Sequence, residues 1–136
     1  KYYIFDIVQI PMNILNQDFC SMKIFRNLKK KNITVEVRSI FLQGIFFLNP
    51  HTLHKKFKPL KSKLLKLKKI KHEKNDILKH CIKFVKSFKI VKKIIIGVTS
   101  VKELKTILKY YNLRNYKQIN YSLYKSKSKM RNPIFW

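Results

Sequence analysis

Short apolar segments alternate along this chain with longer stretches of helical spacing, and this alternation constrains the fold more than any other feature. We predict strands over 5–10, 33–41 and 93–98, the first of them ended by Pro11. The middle segment alternates apolar and polar residues, which is typical of a strand with two different faces. The last is almost continuously apolar and β-branched, which predicts a strand buried on both faces.

Helices are predicted between and after these strands. They cover 21–31 with Asn32 as the C-cap, then 60–71 and 75–88, and a last stretch that begins at Ser100. Strands that alternate with helices in this way indicate repeated βα units around a parallel sheet. Three units without a return strand suggest part of a larger parallel sheet or barrel.

Size and composition exclude several classes of protein. With 136 residues the chain is long enough for one domain, 1–136, in which 112–136 form a tail rich in Tyr and Lys. A hydrophobic content of 46% excludes a disordered basic tail. The apolar run over 40–48 is too short for a membrane span of about 20 residues. Cys20 and Cys81 are too few for a disulfide scaffold or a zinc finger.

The charge is extreme but is not by itself a sign of a partner. Lys and Arg number 32 against 6 Asp and Glu, which gives a net charge of +26. Such a charge normally suggests nucleic acid. However, the chain has no Ala, only 2 Gly and a large excess of Lys over Arg, which indicates mutational bias in an AT-rich genome. The chain also begins with Lys1 instead of Met, so we expect a processed product or a fragment.

The junction between the last strand and the last helix has the features of an anion site. Gly97 precedes Ser100, and Glu103 three residues later completes a capping box, in which Glu103 would accept a hydrogen bond from the Ser100 amide. The free amides and the dipole of a helix start favour a phosphate at such a place. The alternative is that Ser100 and Glu103 only cap the helix.

Three blocks together resemble the C-terminal part of an aldo/keto reductase, an NAD(P)H-dependent (β/α)₈ barrel. They are residues 6–13, 37–44 and 94–104, and the resemblance runs in register over about 4 to 111. The ending 132–136 is similar to the C-terminus of some bacterial members. The fold class implied is α/β, namely the three βα units with strands 6–8 of a TIM barrel, incomplete in this chain.

The resemblance implies a cofactor site for NADP(H) or NAD(H). Gln9 falls where the family binds the nicotinamide carboxamide, and an amide has the donor and the acceptor that this requires. Arg38 falls where many members stack an aromatic ring, and a planar guanidinium can also stack. Ser39 falls at a pyrophosphate contact. The segment that holds the adenosine phosphate in the family corresponds to Gly97, Val98, Thr99 and Ser100.

The same resemblance limits what the chain can do alone. Many NADPH-specific members carry Arg at the position of Glu103, so the resemblance does not decide between NADPH and NADH. The family's catalytic Asp, Tyr, Lys and His belong to earlier units, so we expect no catalytic residue and no activity from these 136 residues alone. The intact protein would be a cytoplasmic oxidoreductase that reduces a small carbonyl substrate, without a metal, a membrane or a specific nucleic acid as partner. Residues 42–60 and the tail would line the substrate side. We expect solvated, non-catalytic side chains at His51, His54, His72 and His80.

Two alternatives remain. One is a Lys-rich nucleic-acid-binding protein of ribosomal type, which would stack bases on tyrosines that lie among lysines. These tyrosines are Tyr110, Tyr111, Tyr116, Tyr121 and Tyr124. The other is a structural remnant that has lost its catalytic half. Three βα units would leave two open sheet edges, so we expect weak stability or aggregation of the separate chain.

Overall fold

A computed structural model describes residues 5–70, 77–113 and 119–136 of the chain. Strands β1 (Ile7–Pro11), β2 (Thr34–Arg38) and β3 (Val91–Ile94) form a parallel sheet in the order β1-β2-β3. Strands that follow one another in the chain are therefore neighbours in the sheet, and each crossover contains helix, as parallel pairing requires. The fold is mixed α/β with a small three-stranded parallel sheet, which agrees with the alternation in the sequence.

Four helices accompany the sheet in the described part of the chain. Two of them, one in each crossover between strands, lie where the apolar spacing predicts helices. The helices are α1 (Met22–Lys30), α2 (Lys61–Lys68), α3 (Ile77–Lys86) and α4 (Val101–Asn112). Every helix among the described residues is too short or too polar to cross a bilayer.

The end of α1 shows how the chain leaves a helix without glycine. The C-cap is Lys31, and Asn32 follows in the left-handed region with φ of 54°. The Ile33 amide donates to the Leu28 carbonyl at 2.9 Å, and the Asn32 amide donates to the Lys29 carbonyl at 3.0 Å. These two bonds define a Schellman motif, in which Asn is one of the few residues that tolerate the left-handed position. The predicted C-cap at Asn32 is thus wrong by one residue.

The predicted helices 60–71 and 75–88 are shorter in the structure. The chain first forms a 3₁₀ turn over Lys55–Leu60 that contains Pro59, and α2 begins after it. At its other end α2 stops at Lys68, because the amides of Lys69 and Ile70 donate to the carbonyls three residues back, at Lys66 and Leu67, and tighten the last turn. Residues 71, 75 and 76 lie outside the described residues.

The prediction that the last strand covers 93–98 and is buried on both faces is wrong. The strand is Val91–Ile94, and Ile95 and Val98 are 41% and 42% exposed. The Ile95 amide still donates to the Val37 carbonyl at 2.8 Å. The exposure has a simple cause, since β3 is an edge of the sheet and no described strand pairs with its other side.

The first strand differs from its prediction in the same way. The strand ends at Pro11, as predicted, but Pro11 is still part of β1, and β1 begins at Ile7 instead of residue 5. Phe5 is 66% exposed and Ile7 is 52% exposed, whereas Ile10 is buried. The cause is again position, because β1 is the other edge of the sheet.

The two faces of the sheet have different surroundings. Val35 and Val37 are fully buried and belong, with Ile10, to one hydrophobic cluster. That cluster also contains residues of α1, α3 and α4, among them Phe25, Val85 and Ile107. Because side chains alternate along a strand, the residues between the valines point to the opposite face of the sheet. The helices therefore cover one face, and the other carries polar side chains.

Candidate functional site

The residues predicted to hold a cofactor lie toward one edge of the sheet. In the parallel register Gln9 pairs with Glu36, and Pro11 pairs with Arg38. Ser39 follows β2 directly, and residues 97–100 follow β3. Because parallel strands run in one direction, Arg38, Ser39 and residues 97–100 lie at the carboxyl end of the sheet, and Gln9 lies at the middle of β1, two residues before that end. We call this end of the sheet, where the strands terminate, the carboxyl edge; it is distinct from the two edge strands β1 and β3.

A polar row crosses the exposed face of the sheet next to the carboxyl edge. Gln9 is exposed on β1, and its register partner Glu36 is half-buried on β2. Glu36 forms an ion pair with Lys93 of β3 at 3.3 Å. Sequence reasoning missed this pair, although the polar positions in the alternation of β2 mark Glu36 as a residue on the open face. Gln9 thus lies beside a carboxylate whose negative charge is already paired with Lys93.

The residue after β2 has a constrained backbone. Ser39 adopts φ of 60°, in the left-handed region that side chains other than Gly rarely occupy. Its hydroxyl accepts a hydrogen bond from Arg38 Nη1 at 3.3 Å, and its carbonyl accepts one from Asn13 Nδ2, also at 3.3 Å. These contacts hold the hydroxyl and the guanidinium together at the carboxyl edge, where both remain partly exposed.

Asn13 connects the loops that make up the carboxyl edge. It is completely buried just after β1, and its Oδ1 accepts from the amides of Leu15 and Asn16 at 3.0 and 2.9 Å. Its Nδ2 donates to Ser39 O and to Arg131 O. One side chain thus joins the exit loops of β1 and β2 to the tail. Its role as a loop-binding residue was not predicted, although an Asn that follows a strand often organises a turn in this way.

The start of α4 forms the predicted capping box with one difference. The Ser100 hydroxyl accepts from the Glu103 amide at 3.1 Å, as predicted. The Glu103 carboxylate, however, accepts from the Thr99 amide at 2.8 Å and from the Thr99 hydroxyl at 3.0 Å, and not from the Ser100 amide. The amides of Val101 and Lys102 have no intrahelical partner at such a helix start. The chain's own carboxylate therefore occupies part of the predicted anion site.

The tail packs against the exit loop of β1. The Ser126 amide donates to the Leu15 carbonyl at 2.9 Å, and Arg131 pairs with Asp18 at 2.6 Å. Partial burial alone would raise the pKa of Asp18, but hydrogen bonds and charges from Arg131 and Lys125 outweigh it and hold the pKa below the usual value. The tail thus lies at the end of the sheet where the candidate cofactor residues are. That it lines a substrate site stays a prediction.

Two described titratable side chains lie in or against the core. His80 is buried and forms a hydrogen bond of 3.0 Å with the Tyr121 hydroxyl, so the expectation that His80 is solvated is wrong. Burial raises the pKa of the Cys20 thiol to about 12, which keeps it protonated and unreactive. Within the described residues no three His, Cys, Asp or Glu side chains come together as a metal site.

The remaining histidines and tyrosines have mixed surroundings. His51 and His54 are exposed as predicted, while His72 and Tyr116 lie outside the described residues. Tyr121 is buried, where its ring packs on Phe84 with centroids 5.6 Å apart, so it is not available for base stacking.

Comparison of the chain with models of protein families, with curated proteins and with solved structures finds no match.

Proposed function

We propose that this chain forms the cofactor-binding part of an NAD(P)H-dependent oxidoreductase of the aldo/keto reductase type. One observation supports the proposal: three parallel strands neighbour one another in chain order, as consecutive strands of a barrel do, and Ser39 and residues 97–100 follow two of these strands at the same end of the sheet. Enzymes with parallel α/β barrels use that end of the sheet for their sites. In this proposal the sheet is three adjacent strands of a barrel.

The residues at the carboxyl edge fit the groups of a dinucleotide. Gln9 offers an exposed amide, whose donor and acceptor suit the nicotinamide carboxamide. Arg38 and Ser39 offer a cation and a hydroxyl that are already held together and suit a pyrophosphate. The start of α4 offers the free amides of Val101 and Lys102 to the adenosine end of the dinucleotide. The cofactor, when bound, would supply the hydride for the reduction of a carbonyl carbon.

Glu103 makes the phosphate end of the site selective. Its carboxylate stands at the Thr99 amide, where an incoming phosphate would meet a like charge. A 2′-phosphate adds about two negative charges near this carboxylate, whereas NADH adds none. We therefore propose NADH as the better ligand of this chain.

The acid–base groups of the reaction would come from other units of the barrel. The described titratable groups of this chain form no acid–base constellation at the carboxyl edge, and His80 is committed to Tyr121. The 136 residues alone would therefore bind cofactor without reducing a carbonyl. For the whole protein we propose a small carbonyl substrate and a cytoplasmic location.

A binding titration that isolates the contribution of the nicotinamide group tests the proposal. We would titrate the chain with NAD and with ADP-ribose, which lacks nicotinamide, in about 0.15 M salt to screen the general positive field. We expect the chain to bind NAD about tenfold more tightly than ADP-ribose, because NAD has one additional hydrogen-bonded amide. Gln9→Leu should abolish this preference. Thr34→Val, at the other end of the same sheet face, should retain it. Equal affinity of the unaltered chain for both ligands would refute the proposal.

Nucleic-acid binding is a second candidate because of a lysine cluster on α2. Four lysines surround a shallow groove of about 460 Å³ there, without an acidic residue among the lining positions that the structure describes. They are Lys58, Lys61, Lys66 and Lys69. RNA binding that weakens steeply with salt and is lost when these four become Gln would favour this function over the first.

A further inference from the structure

A second groove lies at the amino end of the sheet, away from the carboxyl edge. It has a volume of about 770 Å³ and runs between α1 and the segment that joins α3 to β3. Ile33 and Thr34 at the start of β2 form one wall, and Phe88 and Ile90 before β3 form another. Its size is within the range of sites for small molecules. No group invoked for the cofactor lies in it.

The floor of the groove is apolar and firmly packed. The rings of Phe25 and Phe88 meet edge to face with centroids 5.6 Å apart, and Phe84 supports Phe88 from behind at 5.2 Å. Met22 lies at the open side and is 66% exposed, so an apolar side chain there faces water in the free protein. A ligand with an alkyl chain would cover this surface and gain from its removal from water.

The rim of the groove carries only positive charge. Arg26 and Lys29 lie on α1 at four and seven residues from Met22, that is, on the helix face that also carries Phe25. The other wall adds Lys89 and Lys92. None of these four cations forms an ion pair within the part of the chain that the structure describes, and none of the described lining residues is acidic.

We propose that this groove binds a single-chain anionic amphiphile of fatty-acid type, with its alkyl chain on the aromatic floor and its head group among the rim cations. The apolar floor and the charged rim together favour this class of ligand. An inorganic anion would leave the apolar floor in water, and a neutral hydrocarbon would not use the four cations. A nucleic acid would need exposed aromatic faces for stacking, whereas Phe25 is buried, Phe88 is only partly exposed, and Met22, Ile33 and Ile90 supply the remaining apolar surface.

The test is calorimetric titration of the full chain with monomeric dodecanoate, and with dodecyltrimethylammonium as a ligand of equal chain length and opposite charge. The test variant is Arg26→Gln with Lys29→Gln. Its matched control is Lys23→Gln with Lys30→Gln, which removes the same charge from exposed positions of α1 outside the groove. Gln is a good helix former, so both variants should retain α1.

We expect dodecanoate to bind with a stoichiometry of one and the ammonium amphiphile not to bind. The groove variant should weaken dodecanoate binding about tenfold or more, as expected for lost charge-assisted hydrogen bonds. The control should weaken it by less than about threefold, through general screening alone. Equal losses in both variants, equal binding of the two amphiphiles, or binding only to phosphatidylglycerol vesicles would each overturn the proposal. Met22→Glu, favourable at a helix start, should also abolish binding without unfolding α1.

Discussion

Several residues at the carboxyl ends of the strands adopt backbone conformations that cost free energy. Ser39 has φ of 60°, and Leu42 and Gln43 have φ of 49° and 48° just before Gly44, which has φ of 85°. For a residue with a side chain this region costs about 1–2 kcal/mol. Leu42 is completely buried, so its packing stabilises the conformation. Strained residues of this kind concentrate at functional sites, and their position after β2 agrees with the proposed cofactor site at the carboxyl edge.

Glu103 provides the sharpest prediction at the scale of a residue. Glu103→Gln removes the negative charge but retains an oxygen that can accept from the Thr99 amide. We expect the affinity for NADPH to rise about tenfold, because the repulsion of the 2′-phosphate is removed, while the affinity for NADH changes little. Fluorescence titration with both dinucleotides measures this ratio.

The matched control for this variant is Glu36→Gln, which removes a carboxylate from the sheet face instead of the helix start. It should not change the ratio of the two affinities. If Glu103→Gln leaves the ratio unchanged as well, Glu103 is only a helix cap and the phosphate site lies elsewhere.

At the scale of secondary-structure elements, sequence patterns predicted the features that depend on residues close by in the chain. The alternation correctly predicted that β2 has two different faces, of which Val35 and Val37 form the buried one, although the strand is Thr34–Arg38 and not 33–41. The spacing of Ser100 and Glu103 predicted the cap of α4. Burial of β1 and β3 could not be predicted locally, because it depends on whether another strand lies beside each edge.

Helix α3 shows a second limit of local patterns. Its spacing predicts a single apolar stripe, but the structure buries six consecutive residues, His80 to Val85. A helix can be buried on all sides only when distant segments cover it. Tyr121 of the tail does so, since its hydroxyl bonds His80 and its ring packs on Phe84. This contact spans 41 residues and has no signature in the sequence of α3 itself.

The tail gives a pH-dependent prediction at the scale of an element. The pKa of Asp18 is held below its ordinary value of 3.8, so its ion pairs stabilise the fold above that pH and are lost as the pH falls through the lowered pKa. Asp18→Asn should lower the free energy of unfolding by up to about 1 kcal/mol near neutral pH, the range for exposed pairs. Urea unfolding followed by the fluorescence of Trp136, which packs on Phe57, measures this.

The stability difference between Asp18→Asn and the unaltered chain should vanish once the pH is below the folded pKa. The control is Asp6→Asn, which changes an exposed carboxylate that forms no ion pair in the described part of the chain. A difference that persists or grows in acid would mean that Asp18 does not act through its charge.

At the scale of the whole molecule, both flanks of the sheet carry apolar side chains that the described residues leave exposed. On the β1 side these are Phe5 and Ile7. On the β3 side, helix α4 exposes a stripe with helical spacing. The stripe consists of Val101, Leu104, Leu108 and Tyr111. Exposed apolar surface beside an unpaired strand promotes association. The net charge of +26 opposes association through repulsion, which salt screens.

We therefore expect the separate chain to be weakly stable and to self-associate as salt is raised. Leu104→Lys with Leu108→Lys should lower the associated fraction without loss of helix content, because both side chains are already 41% and 47% exposed. Sedimentation velocity over a range of salt concentrations measures the associated fraction. A chain that stays monomeric at high salt and unfolds in one sharp cooperative transition would contradict the view that these flanks are incomplete.

The central claim is that a dinucleotide binds at the carboxyl edge, and amide hydrogen exchange with and without NADH tests it most directly. We predict slower exchange in three places only: around Gln9, around Ser39, and from Gly97 to Lys102. The amides of α1 and of the lysine-rich helix α2 should not change. Protection spread over the basic surface, or confined to the amino end of the sheet, would contradict the claim and show that the charge of the chain, and not a built site, attracts the cofactor.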